Sequence, residues 1–131
     1  MDRLPVQDAS CELVIAHGIW NLARSGAEFR AAVREAARAA TAGAALFVFT
    51  FSRHTLPEAA RPVAGEPFVF TEFSGAPQCF LSAEQLVAEL AAVGFEPAPE
   101  VPLVELNRAR PAQLQRGTAP VIWQAGFRRR G

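Results

Sequence analysis

Two unbroken apolar runs, CELVIAH at 11–17 and AALFVFTF at 44–51, flank a stretch whose apolar residues recur every three or four positions. A short run without alternation is what a strand covered on both faces looks like. In the stretch between, AEFRAAVREAARAA, helical spacing puts Phe29, Val33, Ala36 and Ala40 on one face and Arg30, Arg34 and Arg38 on another. Ser25 followed three residues later by Glu28 forms a capping box, so the helix should open near Gly26, and Gly43 supplies its stop. Strand, helix, strand with short links predicts a right-handed crossover and a parallel pair.

Further on, SRHTLPEAARPVAGEP (52–67) carries three prolines and reads as a loop with one helical turn at Pro57–Ala60. FVFTEF (68–73) alternates, which predicts a short, partly exposed strand. Ser82 and Gln85 form a second capping box before AEQLVAELAAVG, where Leu86, Leu90 and Val93 share a face and Gly94 ends the helix. FEPAPEVPLVELN and APVIWQAGFRRR give two more strands around a polar link at 107–118 without helical period, so they should be antiparallel neighbours. Prolines at 97, 99 and 102 place the first of these at a sheet edge.

With 131 residues, half of them apolar, the chain fits one domain spanning 1–131 with a real core. Its formal net charge is zero, so no overall field draws it to nucleic acid or anionic lipid. All 13 basic residues are Arg, which lowers the weight of any one of them as a functional signal. The stripe on the first helix is diluted by Glu28 and Glu35 and reads as a solvated face, and Arg128–Arg130 as a solubilising end. Cys11 and Cys79 form no CxxC pattern and read as free thiols in a reducing cytoplasm. No apolar run approaches the ~18 residues of a membrane span. No His, Cys and carboxylate cluster has metal-ligand spacing, so no metal site is expected.

In this order the pieces resemble the C-terminal half of a class I S-adenosylmethionine-dependent methyltransferase, of the small-molecule kind called methyltransferase type 11. Leu4-Pro5 with Asp8, then Cys11-Glu12-Leu13-Val14, stand where that family has its LPF.D.SFDLV pattern. Ala42-Gly43-Ala44 stands in place of Pro-Gly-Gly, and Gly94-Phe95-Glu96 matches the GF after the last helix. Cys11-Glu12 in place of Phe-Asp, and Thr41-Ala42 in place of Lys-Pro, are departures that do not touch chemistry. The resemblance implies an α/β fold: part of a Rossmann-like sheet, parallel strands plus an antiparallel last strand, with flanking helices. It also implies S-adenosylmethionine as cofactor and a small-molecule methyl acceptor. The family's glycine-rich turn has no counterpart here, since GxG does not occur. About three β–α units, on the order of 30 residues each, are expected to be missing. The chain should therefore be inactive alone. The alternative expectation is a non-catalytic remnant or interaction module that pairs, with itself or a partner, through an exposed strand edge at 12–17.

Ligands of open α/β sheets bind at the carboxyl ends of the strands, beside the point where strand order reverses. The resemblance puts residues 12–17 at that point, so His17 to Asn21 should meet the sulfonium methyl and the substrate. His17 and Gly18 are expected to line the cofactor, the glycine allowing close approach of backbone; otherwise His17 is a strand-end histidine bonded to a loop. Asp2 stands near the family's adenine-binding Asp, and Leu4 beside it is a further cofactor-binding candidate. Asn21 reads either as a substrate-orienting amide or as a local helix cap. Trp20 is a substrate-binding candidate that also reads as a packing residue. Phe51 and Ser52 should border the same cleft. His54 is a candidate general base, or a solvated loop histidine.

Overall fold

The computed structural model describes residues 4–108 and 119–131. In chain order its elements are β1 (Cys11–His17), α1 (Gly26–Ala39), β2 (Ala40–Phe51), β3 (Val69–Phe70), β4 (Gln78–Cys79), α2 (Ala83–Ala91), β5 (Phe95–Pro97), β6 (Val104–Leu106) and β7 (Ile122–Arg129). Short 3-10 turns at Trp20–Leu22 and Arg53–Thr55 follow the carboxyl ends of β1 and β2.

The βαβ unit forms as its pattern demands. Ser25 Oγ accepts the Glu28 amide at 3.0 Å, while the Glu28 carboxylate accepts the amide of Arg24 rather than that of the cap residue. Phe29, Val33 and Ala36 are buried by α1, and β1 and β2 run parallel from Leu13↔Ala45 to His17↔Phe49. The helix ends at Ala39 and not at Gly43. Ala40 is already extended and pairs with Cys11. Gly43, at φ +77°, lies instead in the irregular stretch where the register jumps between Cys11↔Ala40 and Leu13↔Ala45. Its missing Cβ permits a bulge that lengthens β2 to 12 residues.

In the main sheet the order is β1-β2-β7, with β5 and β6 both paired antiparallel to the far edge of β7. Seven aligned pairs, Ala45↔Arg128 through Phe51↔Ile122, join β7 antiparallel to β2. The proline-rich segment is two short edge strands rather than one. Between them the Ala98 amide reaches Gly126 O, and the Gly126 amide reaches Val101 O, so the prolines sit where no ladder bond is needed. Arg128 and Arg129 belong to this ladder, and Arg128 pairs with Glu100 at 3.0 Å while Arg129 and Arg130 donate to Ala37 O and Ala91 O. These bonds tie the three arginines into the fold, so they are not a free solubilising end.

FVFTEF was expected to alternate about an exposed face, but Phe68, Val69 and Phe70 are all buried. Only Val69–Phe70 forms ladder, in a separate hairpin with Gln78–Cys79. Phe68 packs edge-on against Phe29 of α1 at 5.1 Å, and Phe70 turns the other way into a second cluster with Leu56, Ala60 and Phe80. The segment is a plug between two clusters, which removes the solvent face. The α2 cap behaves as expected, with Ser82 and Gln85 bonded reciprocally, and Gly94 takes φ +95° beyond the helix end. Both cysteines are free; Cys79 is buried and its thiol, pushed up to about 12 by desolvation and then by Glu66 and Glu28, donates to Ala23 O.

Both helices lie on one side of the sheet. Ala16, Leu46, Val48, Ala125 and Phe127 share one core with Phe29, Val33 and Ala36 of α1 and Leu86 and Leu90 of α2. Successive strand residues face opposite sides. The alternate positions of β1, Leu13 and Ile15, are 52% and 57% exposed, and on β6 Val104 and Leu106 are exposed with them. The reading of residues 11–17 as covered on both faces is thus overturned: β1 is an edge strand with one apolar face open to solvent.

Candidate functional site

β1, β2 and β6 all end at the same edge of the sheet, where β7 begins. There the chain leaves β1 through Gly18, which at φ +70° donates its amide to Phe49 O at 2.8 Å. A Cβ added to Gly18 would meet nothing within 4 Å, so the glycine serves the backbone turn and leaves open space above it. The exposed His17 ring stands edge-on to Phe49 at 4.7 Å, and among the described residues no loop residue holds it by a hydrogen bond. Asn21 is buried, and its Oδ1 has no hydrogen-bond partner among the described residues. It caps neither helix: Ile19 stands at the cap of the 3-10 turn and Ser25 at that of α1. Thr50 Oγ1 on β2 is likewise buried without a partner among the described residues, so two buried oxygens share a state that is uncommon in folded proteins.

The remaining candidates separate. Trp20 is buried in the core, edge-on to Phe29 at 6.0 Å. With Leu4, Ile15, Ile19 and Glu35 it also lines an open, largely apolar cavity of about 210 Å³ between β1 and α1. Leu4 is held there by its amide on Glu35 Oε2 at 2.6 Å, while Arg38 ties Glu35, Asp8 and Leu4 O together. Arg30 pairs with Glu89 through two bonds of 2.9 Å, so two of the three stripe arginines are engaged by carboxylates. Asp2 lies outside the described residues. Phe51 and Ser52, expected to border the cleft, lie at and just beyond the end of β2. Phe51 packs between Phe73 and Phe80, at 5.5 and 5.4 Å, and Ser52 is fully buried with its hydroxyl committed to protein partners.

Sequence reasoning missed the partner of that hydroxyl. Glu105, on β6, receives Ser52 Oγ at 2.7 Å and His54 Nδ1 at 2.6 Å on one oxygen, and Arg108 Nη1 at 3.0 Å on the other. Arg108 also lies 3.2 Å from His54 Nδ1; because Nδ1 donates to the carboxylate, this is a close approach and not a bond. Only one signal could have found Glu105: it is the lone carboxylate inside the apolar run PLVEL, on the strand position that faces inward. Burial raises its carboxyl, but hydrogen bonds from Ser52, His54 and Arg108 outweigh that and hold it below the usual carboxylate range. A depressed folded value stabilises the fold above the unfolded carboxyl's range, near pH 4.3, and the contribution disappears as pH falls through the lower folded value. The stability difference between the wild type and Glu105→Gln, followed by urea melts, should shrink in acid as pH falls below about 4.

No protein-family model and no curated protein sequence matches the chain. Solved structures do. An S-adenosylmethionine-dependent methyltransferase from Methanosarcina mazei superposes with a TM-score of 0.67 at 15% identity, over 98% of this chain and 64% of that one. The [4+2]-cyclase SpnF matches with a TM-score of 0.63 at 18% identity, over 97% of this chain and 53% of its own. The Burkholderia thailandensis 1,6-didemethyltoxoflavin-N1-methyltransferase, solved with 1,6-didemethyltoxoflavin and S-adenosylhomocysteine, gives 0.64 at 9% identity, over 95% and 46%. At such identities the likeness is one of fold. The chain has a partial class I methyltransferase fold and spans between about half and two thirds of the length of these structures. Among the described residues no helix is long and apolar enough to cross a membrane, and no three His, Cys, Asp or Glu are grouped to hold a metal.

Proposed function

We propose that this chain is the C-terminal half of the domain of a small-molecule methyltransferase of the type 11 kind, using S-adenosylmethionine in the cytoplasm and inactive without a cofactor-anchoring complement. The observation that carries the reading is the end of β1, where the open Gly18 turn and the unpartnered Asn21 oxygen occur in this fold. The residues present fit only the methyl-bearing end of the cofactor. His17 and Gly18 would line it, with Leu4 and Asp2 as further cofactor-binding candidates, but no glycine-rich turn occurs in the sequence to seat the rest. When bound, the cofactor supplies a methyl group on a positively charged sulfur. Asn21 would orient the acceptor, Trp20 would back it from the core, and His54 would take a proton. Positioning and exclusion of water supply much of the rate in such a displacement. Free thiols at Cys11 and Cys79 fit a reducing compartment.

A second reading is favoured by the open edge and face of β1: an interaction module that pairs, with itself or a partner, through residues 12–17. The cofactor half is tested by following amide resonances while adding S-adenosylhomocysteine. Shifts confined to His17, Gly18 and Asn21, without saturation below about 1 mM, are expected, since that is only ~4 kcal/mol of affinity. Saturation at micromolar concentration by the monomer would contradict the missing anchor. A spectrum that does not move would remove the cofactor-lining role.

A further inference from the structure

We propose that His54 and Glu105 form a proton-accepting pair that suits this site to acceptors whose nucleophile is a hydroxyl, with Glu105 as the positioning residue. This rests on the methyl-transfer reading above and adds the class of acceptor. The geometry begins with Ser52, which ends β2: its hydroxyl receives the His54 amide at 3.0 Å and so fixes the turn that presents the ring. Glu105 then holds Nδ1 at 2.6 Å. A neutral imidazole bonded in this way carries its proton on Nδ1, which leaves the Nε2 lone pair unprotonated. Nε2 has no hydrogen-bond partner among the described residues, and the side chain is 48% exposed although the carboxylate holding it is mostly buried.

A latch between β6 and the end of β2 would not need the histidine. Ser52 and Arg108 already occupy both oxygens of Glu105, and Trp123 fixes the neighbouring loop through Nε1 on Leu81 O at 2.7 Å. The ring is an addition to a joint that is complete without it, and its half-exposed side chain stands at the edge where β2 and β6 end. The charged groups facing it are Glu105 and Arg108, and the Trp123 ring lies 6.3 Å away.

The class of acceptor follows from what a base is for. A neutral amine attacks a sulfonium methyl through a lone pair it already has, whereas an alcohol or phenol is a poor nucleophile near neutral pH until its proton leaves. In the balanced step the acceptor oxygen gains the methyl carbon, and the carbon–sulfur bond of the sulfonium donor breaks with its electron pair left on sulfur. The hydroxyl proton passes to Nε2 of His54 and from there to solvent.

The test uses the full chain and needs no turnover. Nitrogen-15 spectra of the histidine rings should show neutral His54 protonated on Nδ1. Diethyl pyrocarbonate should modify it about tenfold or more faster than His17, the only other histidine and hence an internal reference. In Glu105→Ala the proton should move to Nε2 and the His54 rate should fall to that of His17. A wild-type Nε2–H ring, or a rate unchanged in Glu105→Ala, would overturn the pair. If that variant does not fold, Glu105→Asp serves, since withdrawing the carboxylate by one methylene must weaken both signals. The hydroxyl assignment is read with 4-nitrophenol, whose phenolate absorbs in the visible. Binding that shifts the His54 resonances and generates phenolate, lost in His54→Gln, is the expected result. No perturbation of His54, or a phenolate signal indifferent to His54→Gln, would overturn it. The S-adenosylhomocysteine titration reports separately on the end of β1, so failure of either reading is recognisable by itself.

Discussion

Phe29→Ala should cost the fold about 3–5 kcal/mol, the range for removing a fully buried phenylalanine from a core that cannot close over the gap. Phe29 has no exposed surface and touches elements far apart in the chain: Trp20 in the turn after β1 at 6.0 Å, and Phe68 in the plug at 5.1 Å. Its loss opens a hole where α1, the strand-end turn and the plug meet, and none of the three can move in without abandoning another partner. Whole domains are stable by about 5–15 kcal/mol, so the loss removes a large share of the total and, at the low end of that range, leaves the variant close to half unfolded without denaturant. Urea titration reads this as a collapse of the midpoint at constant slope. Phe29→Leu, which keeps most of the volume, should recover more than half of the loss. If Phe29→Ala melts within 1 kcal/mol of the wild type, the junction does not hold the site in place.

The double variant Leu13→Lys with Ile15→Lys should act on association and leave the fold alone. Both side chains are more than half exposed, so two charges there disturb little that is buried. On an edge strand, however, they place like charges on the surface a second chain would have to cover. Losing two apolar contacts of about 1.5–3 kcal/mol each weakens pairing by two to four powers of ten in Kd. Sedimentation of the wild type at tens of micromolar should show a species above 14.1 kDa, and the double variant a monomer with an unchanged melting temperature. A monomeric wild type at that concentration refutes self-pairing through β1.

Local rules located most of the elements. Ser25 and Ser82 start helices because a side-chain oxygen on an amide is decided within four residues, and the strands were visible as apolar runs. What sequence could not convey is which partner each run would have. An apolar LVIA reads the same whether its second face is covered by the chain itself or left open, as Leu13 and Ile15 are here. Gly43 looked like a helix stop because left-handed backbone is needed both at helix ends and at bulges, and the pairing of Ala40 with Cys11 decides for the bulge. FVFTEF gave the right polarity pattern for a half-exposed strand but not its burial by two clusters. The site divides in the same way. Gly18 and Asn21 stood out because a polar cluster directly after an apolar run is unusual locally. The bond from Ser52 to Glu105 joins residues 53 positions apart and leaves no trace in either neighbourhood.

The sheet order also sets a schedule for folding. β1, α1 and β2 can pair as soon as residue 51 is available, because their contacts close only a short loop. The strand that completes the middle of the sheet, β7, begins about 70 residues later, at Ile122. At ~5–20 residues per second, a ribosome leaves the free edge of β2, with Leu46, Phe47, Val48 and Phe49 in line, unpaired for roughly 4–14 s. That edge, and not the one at β1, is the place where a nascent chain is most exposed to chaperone capture or misassembly, and its hazard ends only when the last strand to be made takes its place beside it.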